Sequence, residues 1–173
     1  MLPLAHCRVG CSCYCPRMIT FDLVPRVGLG PVRLSATREV IRQTLERLGF
    51  GVTHSRDNLD YFCGNALQVE CGKDGCADFI GIAGSDDLCV TYFGIDVFDT
   101  PADRLFNAMA GRETSGSHTY ARTEYLFPQQ IVTLWDAAAQ YDHRGGGRWP
   151  VWGQIGVGSE RYLQSQIARA ARR

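Results

Sequence analysis

The stretch GLGPVRLSATREVIRQTLERLG, residues 28–49, decides how the rest of the chain is read. Val32-Arg33-Leu34 is a short extended piece behind the Gly30-Pro31 turn. Thr37 is a helix N-cap by residue type, because its hydroxyl can accept from the first free backbone N–H groups. Ser35 is the alternative cap. Val40, Ile41, Leu45 and Leu48 recur at helical spacing, while Arg38, Arg42, Gln43, Glu46 and Arg47 fall elsewhere. Gly49 can take the left-handed conformation that closes a helix. The unit is therefore a strand, a capped amphipathic helix and a stop. A fainter copy, IDVFDTPADRLFNAMAG, occupies residues 95–111, with Thr100 as its cap and Pro101 at its first helical position.

Upstream, ITFDLV at 19–24 is a strand, broken by Pro25 and Gly28. Downstream of the first helix, residues 52–60 (VTHSRDNLD) read as a polar connection. Leu67, Val69 and Cys71 alternate with Gln68 and Glu70, which argues a strand with one buried face. The Asp74-Gly75 turn then returns the chain as ADFIGIA, residues 77–83. Residues 88–98 read as one long strand rich in β-branched and aromatic side chains. After the second helix come a polar loop at 112–122, strands on either side of Pro128, a glycine-rich loop at 141–150, a strand at 151–157 and a basic helix or tail from Tyr162. Helix, polar connection and two strands thus occur twice. The expected fold is α+β: two tandem strand–helix–strand–strand repeats, about 19–87 and 88–163, forming antiparallel sheet with the helices packed on one face. Residues 1–17 (MLPLAHCRVGCSCYCPR) read as a disordered cysteine-rich extension before a single domain at 18–163, and 164–173 as a basic tail or short helix.

The segment from Gly30 to Gly49 resembles the "LGMTxxEVxxxLG" opening of BamE-like modules and of their duplicated form, the β-lactamase-inhibitor-protein type. The match rests on Gly30, Val32, Leu34, Thr37, Glu39, Val40 and Gly49. The stretches at 94–105, 126–135 and 155–162 are similar to the second half of such proteins, some of which look like immunity proteins of bacterial toxin systems. The resemblance implies a binding module and carries no chemistry. Ser35-Ala36 stands where the family has Gly-Met. Leu4-Ala5-His6-Cys7 is a poor copy of a lipoprotein cleavage box, which argues against an outer-membrane assembly role like that of BamE.

Lys plus Arg and Asp plus Glu are both 18, so no net field draws in nucleic acid or an anionic membrane. No apolar run reaches the length of a membrane span. The eight cysteines offer a metal knot at Cys7, Cys11, Cys13 and Cys15, but C-x-C-x-C spacing suits zinc poorly. Cys71 and Cys76 flank a turn that would set them opposite each other, either as a disulfide or as two reduced thiols of a cytoplasmic protein. Cys63 and Cys89 read as small core residues. His54, His118 and His143 are dispersed, and Asp86, Asp87, Asp96, Asp99 and Asp103 are more simply turn and helix-start residues than a cation site. No catalytic, metal or cofactor site is expected. The candidate partner-binding residues are Arg144, Arg148, Trp149 and Trp152 in RGGGRWPVW, with Tyr120 and Arg122 as a second patch, because Arg and Trp dominate binding hot spots. The expected function is a cytoplasmic, non-enzymatic immunity or inhibitor protein that blocks a toxin enzyme. The alternatives are a small Cys/His-dependent enzyme or metal-binding protein, and a structural subunit of a larger assembly.

Overall fold

The computed structural model describes residues 18–138 and 149–172. Among these, the chain is a mixed α+β fold with two sheets and three helices, strands predominating. In chain order the elements are β1 (Ile19–Val24), β2 (Gly28–Leu29), β3 (Val32–Arg33), α1 (Arg38–Arg47), β4 (Val52–Arg56), β5 (Leu59–Phe62), β6 (Leu67–Cys71), β7 (Ala77–Ala83), β8 (Leu88–Tyr92), β9 (Ile95–Asp96), α2 (Ala102–Ala110), β10 (Glu124–Phe127), β11 (Val132–Ala138), β12 (Val151–Gly158) and α3 (Glu160–Ala170). The small sheet runs β3-β2-β1-β8-β9 and the large one β10-β11-β12-β7-β6-β5-β4. Every pairing in the large sheet is antiparallel. In the small sheet β1 and β8 run parallel, which needs a long crossover, supplied by all the chain from β2 to β7. The proposed extension 1–17, with its four cysteines, lies outside the described residues.

The first helix forms as its sequence dictates. Thr37 accepts from the Val40 N–H at 3.5 Å. At the other end Gly49, at φ 88°, lets its own N–H reach Glu46 O and that of Phe50 reach Leu45 O, both at 2.9 Å. The buried stripe is narrower than the spacing suggests: Ile41 and Leu45 are buried, whereas Val40 is 50% and Leu48 41% exposed. The second helix departs from its expected cap. Pro101 itself is the N-cap residue, no side chain caps the end, and Thr100 does not serve. The start is held instead by tertiary contact, the Ala102 N–H donating to Pro150 O at 2.8 Å.

Three further expectations are corrected. Residues 52–60 are not a connection but the β4–β5 hairpin, with Asp57 at φ 51° in its turn. The long strand at 88–98 is two strands, broken at Phe93-Gly94. The β6–β7 turn sets Cys71 opposite Ala77 rather than Cys76; Cys76 bridges to Thr37, and both thiols are free.

Register places Leu67, Val69, Ile80, Ile82, Val132, Leu134, Ile155 and Val157 on one face of the large sheet. They join Phe21, Leu23, Leu88, Val90 and Tyr92 of the small sheet in one continuous core. Phe79 points the other way. Its ring lies so close over Gly156 that a Cβ there would stand 2.2 Å from Cζ, and Tyr162 of α3 stacks on it at 4.6 Å. The C-terminal helix, capped by Ser159, is therefore part of the packed domain.

The β4–β5 hairpin escapes pattern reading because one of the two inward residues of β5, beside Phe62, is a carboxylate. Asp60 is 2% exposed. It accepts from Arg38 Nε and Nη2 at 2.9 and 2.6 Å, from Arg42 Nε and Nη2 at 2.7 Å each, and from Ser55 Oγ at 2.7 Å. Burial by itself would raise its pKa. The two guanidinium groups and the hydroxyl outweigh burial and hold the carboxyl well below the usual carboxylate range. Because the folded value is depressed, this stabilisation is complete above the unfolded-chain value of about 4 and drains away as pH falls toward the folded value. Asp60→Asn is expected to cost about 3 kcal/mol at pH 7. Urea unfolding at pH 7 and pH 3 checks this: the gap between wild type and variant should narrow at the lower pH.

Candidate functional site

Sequence order separates Tyr120, Arg122 and Trp149, and the fold brings them together at the start of α2. With Ala102, Asp103 and Pro150 they line an open cleft of about 390 Å³. Its floor is rigid. Trp152 is fully buried, its Nε1–H donating to Ala102 O at 2.9 Å, and so it is a core residue that supports the cleft, not a partner contact. The Tyr120 ring meets Trp152 edge-on at 5.9 Å and Phe106 of α2 at 5.5 Å. Phe106 packs in turn on Tyr125 and Phe127 of β10 at 4.7 and 5.2 Å. Arg122 is fixed through its backbone, its carbonyl accepting from the Ala137 N–H at 2.8 Å.

Above this floor the side chains are open. Trp149 is 40% exposed, and Arg122 is exposed with no ion pair among the described residues. Asp103 accepts from the Arg104 N–H at 2.9 Å within its own turn. Among the described residues the cleft thus offers two aromatic walls, a guanidinium with no ion pair, a carboxylate and no strong nucleophile. Arg144 and Arg148 lie outside the described residues.

The loop that carries Tyr120 and Arg122 is anchored by a buried polar group that the sequence reading did not single out. Glu113 is 7% exposed. It accepts from the Gln129 N–H at 2.9 Å and from the Gln130 N–H and Nε2 at 3.3 and 3.2 Å. Gln130 Nε2 also donates to Met109 O at 2.9 Å, and its Oε1 accepts from the Tyr92 hydroxyl. Burial would raise the Glu113 carboxyl, but hydrogen bonds from Ser115, Gln129 and Gln130 hold it below its ordinary value. Further along, His118 Nδ1 sits 2.8 Å from the Tyr125 hydroxyl. The only sequence signal for this anchor is a charged residue directly after a helix end, which normally reads as surface.

The other candidate groups do not converge. His54 stacks near Tyr61 on the β4 edge at 5.9 Å, while His118 lies by β10 at the opposite edge of the same sheet. His143 is outside the described residues. Burial, then the Asp87 carboxylate, pushes the Cys63 thiol up to about 11, and burial raises Cys71 against the pull of Arg38. Both therefore stay protonated and weakly nucleophilic at neutral pH. Cys63 is half-buried and packs against the core from a left-handed turn at φ 51°. Cys89 is likewise half-buried, its Sγ 3.4 Å from Asp96 Oδ2. Among the described residues no three His, Cys, Asp or Glu side chains gather as metal ligands, and no helix is long and apolar enough to cross a membrane.

If Glu113 anchors the loop, Glu113→Gln should lose about 1–3 kcal/mol, because it swaps a charged acceptor for an amide whose N–H₂ faces donors. Hydrogen exchange should show the lost protection concentrated at residues 113–122 and 129–130. Comparison with protein family models, with characterised proteins and with solved structures finds no match to this chain.

Proposed function

We propose that the chain is a non-enzymatic, cytoplasmic protein-binding module of the immunity or inhibitor kind, which blocks a toxin or effector enzyme by covering its active site. The observation that carries the reading is the cleft of Tyr120, Arg122 and Trp149. Aromatic walls on a buried floor, next to an arginine with no ion pair among the described residues, have the make-up of a binding hot spot: large contact area from side chains that lose little entropy, and a charge that can pair with a partner's acid. The partner is a protein that presents an acidic residue flanked by apolar surface.

The architecture behind this reading is two tandem strand–helix–strand–strand units with α1 and α2 on one side of a shared sheet. The path of the chain supports it. Each half opens with a strand of the small sheet, β1 or β8, which are neighbours. Each then passes through a helix into strands of the large sheet, and the last strand of each, β7 and β12, pair with each other. Duplicated modules of the β-lactamase-inhibitor-protein type, which the segment at 30–49 resembles, are the family this organisation fits.

The test is to identify the chain's partner by pull-down from its native host and then to co-express the two, read as rescue of growth and as a complex on gel filtration. The intact chain should rescue. Arg122→Glu and Trp149→Ala should each weaken the complex by about 5- to 30-fold, equivalent to about 1–2 kcal/mol, without lowering the melting temperature. A complex that is indifferent to both substitutions would remove the cleft from the mechanism.

A further inference from the structure

At one end of the small sheet, where β8 turns into β9, Phe93 is 64% exposed and sits at φ 48°. Left-handed backbone is strained for a residue with a bulky side chain, and a largely exposed ring recovers little of that strain by burial. The ring is nonetheless held in place. The Arg112 guanidinium lies 4.8 Å from its centroid, and Tyr92 meets it edge-on at 4.9 Å. Phe93 is thus a preorganised apolar knob. Beside it is a pocket of about 250 Å³ lined by Asp22, Leu23, Val24, Phe93 and Gly94. Val24 and Val27, 42% and 39% exposed, extend the apolar surface along the neighbouring turn.

The patch carries one acid and one base, neither in an ion pair among the described residues. Asp22 accepts from the Thr91 hydroxyl, and Arg112 donates to Ala108 O at 2.9 Å. A knob, a hollow, an acid and a base side by side are complementary to their own two-fold image. We propose that the occupant of this surface is a second copy of the chain. Two copies meet about a two-fold axis, the Phe93 of each entering the hollow of the other and the Asp22 of each facing the Arg112 of the other. The surface is separate from the Trp149 cleft, because Arg112 follows the last turn of α2 and Asp103 lies in its first. The inference therefore stands or falls independently of the proposed function. A hairpin end belongs to the small-interface class, below about 1,200 Å², so the dimer is weak and is read at high protein concentration.

Sedimentation velocity of the full chain over a wide concentration range tests this. A reversible monomer–dimer equilibrium is expected. Phe93→Asn, which suits the left-handed backbone and so keeps the fold, should weaken it by at least about tenfold. Asp22→Lys and Arg112→Glu should each be monomeric alone and should associate when mixed, because only the mixed pair restores both cross-contacts. A chain that stays monomeric throughout, a dimer untouched by Phe93→Asn, or two folded charge variants that fail to associate on mixing would overturn the proposal. Melting curves of each variant separate loss of the interface from loss of the fold.

Discussion

Between Phe79 and Ala83 on one strand and Gln154 and Gly158 on the other, five consecutive residue pairs close the middle of the large sheet. Each half of the chain would otherwise end in an open row of backbone donors and acceptors, which water or another strand would have to satisfy. Joined there, Ile80, Ile82, Ile155 and Val157 become a continuous apolar strip that is essentially inaccessible to water. The same seam sets the outer face. Gly156 and Gly158 leave room for the rings of Phe79 and Tyr162 to lie flat against the backbone, and this fastens α3 to the domain. The parallel contact of β1 with β8 makes the corresponding join in the small sheet.

Polar groups hold the periphery to this core. Asp60 ties α1 to the β4–β5 hairpin, and Glu113 with Gln130 ties the end of α2 to the β10–β11 turn. Each is a buried carboxylate whose desolvation is offset by several converging donors, so each fixes one geometry rather than simply adding stability. Glu113 fixes the start of the loop at 112–122, and the Arg122 carbonyl, accepting from the Ala137 N–H, fixes its end. Between these two ties, Tyr120 and Arg122 are held beside Trp149 over the buried Trp152.

Two surfaces stand at either end of α2. The cleft at its start sets Tyr120 and Trp149 beside Arg122 and Asp103. The patch beyond its end sets the exposed Phe93 ring against the Arg112 guanidinium, next to the hollow that Asp22 lines. A short helix buried along one side through Leu105, Phe106 and Met109 is the element common to both.

Where local chemistry is sufficient, the sequence alone determined the outcome. Thr37, Ile41, Leu45 and Gly49 specify a capped helix and its end, and the alternation from Leu67 to Cys71 specifies a half-buried strand, because hydrogen bonding and side-chain period act within a few residues. Three-dimensional contact decided the rest. The β4–β5 hairpin exists because distant arginines neutralise Asp60, and Trp152 lies in the core because its indole N–H finds Ala102 O. Tyr120, Arg122 and Trp149 form one cleft because the chain leading into β12 returns to the start of α2. No local pattern encodes these outcomes, since the partner that satisfies each buried polar group lies a long way off in the sequence.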